Sequence, residues 1–168
     1  MALPRKLKNF NLLLDGESYA GVASEVVLPK LTRKTEEFRG GGMNGPVASD
    51  MGLEALNMEF TVGMDVRVYR QFGISKVDGA LMRFVGAWQR EDSDQVTAVE
   101  VVARGRYTEL DPGTAKAGED APLKVMANLS YYKLTVDGQV EIEIDLMNFV
   151  EVVGGVDRLA EQRNALGL

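Results

Sequence analysis

Three carboxylates, Glu141, Glu143 and Asp145, are the residues whose spacing most suggests chemistry. On an extended strand they share one face, with neighbours about 6.5–7 Å apart. Glycoside hydrolases hold their catalytic carboxyls roughly 5–10 Å apart, so a hydrolase using Glu141 and Glu143 is one reading. The plainer reading is the solvated face of an amphipathic strand, with Val140, Ile142 and Ile144 at the alternate positions. Composition favours the plainer one. The chain has no histidine and no cysteine. That removes the commonest general base, thiolate nucleophiles, zinc–thiolate sites and disulfides. No catalytic, cofactor-binding or metal-binding residue is assigned, no cofactor is expected, and the chain reads as a non-enzyme.

The run Gly40-Gly41-Gly42-Met43-Asn44-Gly45-Pro46 invites comparison with a phosphate loop. It lacks the Gly-Lys-Ser/Thr ending, and a strand rather than a helix follows. It reads as a flexible surface loop that continues through the polar stretch to Gly52. Met43, adaptable and apolar, suits contact with a partner. Asn128-Leu129-Ser130 fits the glycosylation pattern by chance, and Asp92-Ser93-Asp94 is too short for a calcium loop. Arg33, Lys34 and Arg39 alternate with Glu36 and Glu37 as mixed-charge surface. Arg104 and Arg106 share a strand face. They suit an anionic passage, ion pairs between subunits, or plain solvated surface.

The elements that must carry these residues are mostly strands. Asn9–Asp15 is a short strand ending at a turn, and Ser24–Arg39 is extended with a break at Pro29. Leu56, Met58, Phe60 and Val62 face one way, and Asn57, Glu59 and Thr61 the other. Met64, Val68 and Phe72, spaced by four, predict a short amphipathic helix over Met64–Phe72. Met82, Phe84 and Trp88 mark the next strand. Val99, Val101 and Ala103 then oppose Glu100, Arg104 and Arg106 along Val96–Leu110. After the polar loop Asp111–Pro122, Val125, Ala127, Leu129 and Tyr131 are set opposite Lys124, Asn128, Ser130 and Tyr132. Asp137-Gly138 predicts a tight hairpin into Gln139–Leu146. Helical spacing returns over Gly155–Leu166. The fold class is mostly β: an antiparallel β-sandwich or barrel with one or two short peripheral helices.

The chain's 168 residues suit one domain, 1–168. Net charge is −6, which disfavours gripping nucleic-acid phosphates but not letting nucleic acid slide past. No apolar run approaches the ~20 residues of a spanning helix. The basic N-terminus has no apolar segment behind it and does not read as a secretion signal. The strand Val96–Leu110 far exceeds the typical length of about five or six residues. Strands that outrun their own domain leave edges, and edges must be paired or protected. Ordered self-assembly into a closed ring meets that need.

Several stretches, in order along nearly the whole chain, are familiar. They are Leu3–Lys8, Leu28–Lys34, Arg39–Gly45, Met51–Glu54, Ala98–Val102 with Arg104-Gly105-Arg106, Tyr131–Gly138, Asn148, Gly155–Leu159 and the end from Arg163-Asn164 to Gly167-Leu168. Together they resemble the major tail tube protein of temperate contractile-tailed phages and the related tubes of R-type bacteriocins. The resemblance implies a structural subunit of an inner tube. Hexameric rings would stack around a channel for DNA or ions, within a contractile sheath and beside baseplate and tube-terminator proteins. It places the protein in a virion tail or tailocin particle assembled in the bacterial cytoplasm. The ring-stacking loop would be Gly40, Gly41, Gly42, Met43, Asn44 and Gly45, within about 40–52. Asn57, Glu59, Thr61, Glu100, Arg104 and Arg106 are candidates to face an acidic lumen. A C-terminal helix is expected at about 155–166. A type VI secretion tube protein, which shares the architecture, is the alternative.

Overall fold

A computed structural model describes all residues, 1–168. In chain order the strands begin with β1 (Lys6–Leu14), β2 (Glu17–Ser18), β3 (Glu25–Val27), β4 (Arg33–Phe38), β5 (Val47–Leu53) and β6 (Leu56–Gly63). The helix α1 (Val66–Arg70) separates these from β7 (Ala80–Gln89), β8 (Val96–Asp111), β9 (Pro122–Val136) and β10 (Gln139–Asp145). The chain ends with β11 (Val150–Val153), β12 (Val156–Asp157) and α2 (Ala160–Leu166).

Ten strands form one antiparallel sheet in the order β12-β11-β10-β9-β8-β7-β1-β2, with β6 and then β3 branching from β9. The fold is mostly β and antiparallel with two short helices, as the sequence predicts. The sheet of a single chain does not close into a barrel. The remaining strands, β4 and β5, pair only with each other.

Alternation builds the core. Leu56, Met58, Phe60 and Val62 of β6 are all buried, as are Leu123, Val125, Ala127 and Leu129 of β9. They join Leu12, Met82, Phe84, Val101 and Ala103 in one apolar cluster. Phe60 meets Tyr107 edge-on with ring centroids 5.8 Å apart. The predicted hairpin is present, with Asp137 and Gly138 both at positive φ, 48° and 81°, as a type I′ turn needs.

Several expectations fail locally. The polar stretch 47–52 is strand β5 rather than loop, because it pairs with β4 from Phe38↔Val47 to Arg33↔Leu53. In β9 the core side carries Tyr132 and not Tyr131. The cause is a β-bulge: Arg104 pairs with Tyr131 but Gly105 pairs with Leu129, so Ser130 is the extra residue. One extra residue moves every later side chain to the opposite face. At the C-terminus, the helix starts only at Ala160, because Val156-Asp157 pair with Val152-Val153 as β12.

The bulge depends on Gly105. A Cβ there would lie 2.0 Å from the Asn128 carbonyl oxygen. Gly105→Ala should therefore lower stability by about 1–3 kcal/mol, the usual range for overpacking, or more because the obstacle is backbone. At Gly41 a Cβ meets nothing within 4 Å, so Gly41→Ala should leave the denaturant midpoint nearly unchanged. Urea unfolding of the two variants checks both.

Candidate functional site

The features that could join this chain to others are an arm, a polar sheet face and an apolar corner. The arm is the β4–β5 hairpin. Every residue of β4 is exposed, and β5 is exposed up to Met51. Its connection contains all six predicted loop residues, Gly40 to Gly45. Met43 does not reach outward. Its sulfur accepts a hydrogen bond from the Gly40 N–H at 3.1 Å, and Arg39 Nε donates to its carbonyl at 3.3 Å. The outward apolar groups are instead Phe38, 63% exposed, and its cross-strand partner Val47, 55% exposed. Two apolar residues flanking the glycine run at matching distance were the available signal for this hairpin tip.

The six residues predicted to face a lumen lie on one face of the large sheet, opposite the core. Asn57 pairs with Asn128, and Asn128 with Arg106, in a single cross-strand row. Glu59 and Thr61 extend the face along β6, and Arg104 and Glu100 extend it along β8. Two ion pairs lie on it. Lys124 Nζ lies 2.7 Å from Glu59 Oε1, and Arg83 lies 2.7 Å from Glu100. Arg104, Arg106 and Lys133 have no ion-pair partner. The face is therefore mixed in charge rather than acidic.

The carboxylate series dissolves into structural roles. Glu143 accepts a hydrogen bond from the Tyr131 hydroxyl at 2.9 Å. Burial, and then that bond, push Tyr131 up to about 12. Asp145 accepts from the backbone N–H of Met147 and Asn148, at 3.0 and 3.1 Å, and so closes a turn. Glu141 falls at the irregularity between Val140 and Ile142.

The third feature surrounds α1. The helix is five residues long, not the predicted Met64–Phe72, because Asp65 caps it by accepting from Arg67 N–H at 2.8 Å. Only Val68 of the predicted apolar face is buried; Met64 and Phe72 remain outside with Val66 and Val22. Asp65 also accepts from the Tyr19 hydroxyl at 2.9 Å and from Arg67 NH2 at 2.7 Å. The Arg67 guanidinium sits 5.4 Å from the Tyr19 ring centroid. These bonds, the Arg67 one foremost, hold the Asp65 carboxyl well below the usual carboxylate range. Burial first, and then the bond to Asp65, push the Tyr19 phenol up to about 12.

Residues 4–167 match the family described as phage tail tube protein FII. The chain belongs to this family. It is similar to the tail tube protein of Escherichia phage P2, 48% identical over 172 residues and spanning 100% of both chains. The major tail tube protein of Serratia phage KSP20 is 43% identical over 154 residues, covering 89% of this chain and 88% of that one. In fold it resembles a chain of the sheath–tube complex of an extracellular contractile injection system. That match has a TM-score of 0.61 at 11% identity, over 79% of this chain and 91% of the other. The tail tube protein is thus a structural subunit and not an enzyme, and its working parts are its surfaces.

Asp65→Ala should destabilise the tail tube protein by about 1–2 kcal/mol at neutral pH through loss of the cap. The carboxyl is depressed in the folded state, so its contribution is complete above its unfolded value near 4 and fades as pH falls below it. The gap between variant and parent in denaturant unfolding should narrow between about pH 4 and pH 2.

Proposed function

We propose that the chain forms hexameric rings that stack into the inner tube of a contractile phage tail or tailed particle. The observation that carries this is an open sheet beside an arm without a core. On one side β1 pairs β7 along its whole length, Lys6–Leu14. On the other, β2 covers only Leu13 and Leu14. The edge from Lys6 to Asn11 has no strand beside it, a natural joint for a strand of another copy. Lys6 and Lys8 on that edge disfavour random pairing while the chain is still alone.

The arm supplies the second joint. Its Phe38–Val47 tip stays exposed within its own chain. Docking it on a copy in the next ring gives a heterologous contact, which propagates into a helical filament. The residues 40–45 would shape that tip rather than make its main apolar contact.

The polar face with Asn57, Glu59, Thr61, Glu100, Arg104 and Arg106 is the proposed lumen wall. Arg104, Arg106 and Lys133 stay unpaired on this face, but Glu59 and Glu100 set carboxylates beside them and weaken its hold on phosphates, so DNA could slide past. Sheath, baseplate and tube-terminator proteins are the partners this role requires, and assembly takes place in the bacterial cytoplasm. The phage identity of its relatives supports a tail tube over a type VI secretion tube.

Negative-stain microscopy of the purified chain should show hexameric rings or hollow tubes of uniform diameter. Deleting Gly41–Ala48 should leave the circular dichroism spectrum and core stability nearly intact and yield rings that do not stack. Monomers at every concentration would overturn the assembly reading, and full-length tubes from the deletion variant would overturn the role of the arm.

A further inference from the structure

The arm's exposed strands cannot fix its own direction, so the direction must be set at its root. The root is only partly packed. A cleft of about 760 Å³ runs between Leu31, Met51 and Leu53 on the arm side and Leu146 and Phe149 on the body side. The backbone contributes a neck, with Glu54 N–H donating to the Thr32 carbonyl at 2.8 Å. One charged contact crosses from arm to body. Arg33, the first residue of β4, reaches Glu151 on β11.

Glu151 is unlike the other acids of the chain. It is only 7% exposed, and the Arg33 guanidinium is the sole hydrogen-bond donor to its carboxylate. The same guanidinium engages Asp50 on β5, with Nε at 2.9 and 3.1 Å and NH2 at 2.8 Å from its oxygens. Asp50 is itself held by the Gly52 N–H at 2.9 Å. That backbone bond first, and Arg33 second, lower its carboxyl below the usual range. A single side chain thus ties both strands of the arm to a buried charge in the body.

We propose that Arg33 and Glu151 are a positioning pair that presets the arm's angle, so that it meets another copy already in its docking pose. The proposal rests on the reading that the arm joins copies. Its physics is asymmetric. If the arm swings away, Glu151 stays behind as a buried charge without a partner, a state proteins strongly disfavour. An apolar root could slide along the cleft in many directions, whereas a forked guanidinium meets its two carboxylates in few. Presetting matters for assembly because apparent affinity falls in proportion to the docking-competent fraction.

Glu151→Gln removes the charge and keeps the shape. Trypsin reads the arm directly, since Lys34 and Arg39 lie on it. The variant should be cut at these sites about tenfold faster and should need about tenfold more protein to form tubes, with a thermal midpoint close to the parent's. Arg33→Lys keeps the charge, loses the fork and should fall between. In the double variant the effects of Arg33→Gln and Glu151→Gln on cleavage at Lys34 and Arg39 should be well short of multiplicative, because the two act as one unit. The proposal is overturned if Glu151→Gln stays within about twofold of the parent in either readout. It is overturned equally if the thermal midpoint drops in parallel with arm cleavage, which would mark the pair as general support for the fold. If the unmodified chain forms no tubes, the assembly reading itself fails, and the positioning role fails with it.

Discussion

The structure turns on one strand that has three neighbours. Along one edge β9 pairs β8 over nearly its whole length. Along the other it takes β6 up to Leu129 and β10 from Tyr131 onward. The change of partner falls on Ser130, the bulged residue between them. Ser130 is buried, its carbonyl accepts from Leu146 N–H at 3.0 Å, and its hydroxyl lies 3.5 Å from the Arg104 carbonyl. The close approach of β8 that permits this requires glycine at 105. The length of β9 is thus a consequence of its task, which is to hold two sheet branches and their shared core in register.

That arrangement satisfies the interior and leaves the periphery incomplete. The path ends in two-residue strands, β12 and β2. The edge of β1 is only capped at its end. The arm buries almost nothing, and the corner around α1 leaves Met64, Val66 and Phe72 in the open. An isolated domain with such edges risks uncontrolled association. In the tube proposed above, the same features would serve as joints, and the fold of one chain would be completed by its neighbours.

Much of the fold was legible because alternation is a strong signal wherever one face is buried. The runs through Leu56–Val62 and Leu123–Leu129 showed their inner face directly, and Asp137-Gly138 announced its hairpin. The six polar residues named as lumen candidates lie on one face of the sheet. What stayed hidden has physical reasons. A bulge has no periodic signature, so the switch from Tyr131 to Tyr132 could not be read. Ser49, Asp50 and Gly52 are poor strand formers, and only pairing with β4 makes β5 a strand. Spacing by four at Met64, Val68 and Phe72 resembled a helical stripe, but Asp65 caps the helix late and Gly73 follows at positive φ. The tie between Arg33 and Glu151 joins residues more than a hundred positions apart, and a single sequence carries no trace of it.

The central claim is that the arm and the open sheet edge are joints, idle in the free subunit and engaged in the tube. Hydrogen exchange read by mass spectrometry on both forms tests this most directly. Amides of Arg33–Leu53 and Lys6–Asn11 should exchange readily in the free subunit and become protected in tubes, while those of the loop between β8 and β9 should exchange alike in both. Equal exchange of the arm and the β1 edge in the two forms would contradict the account.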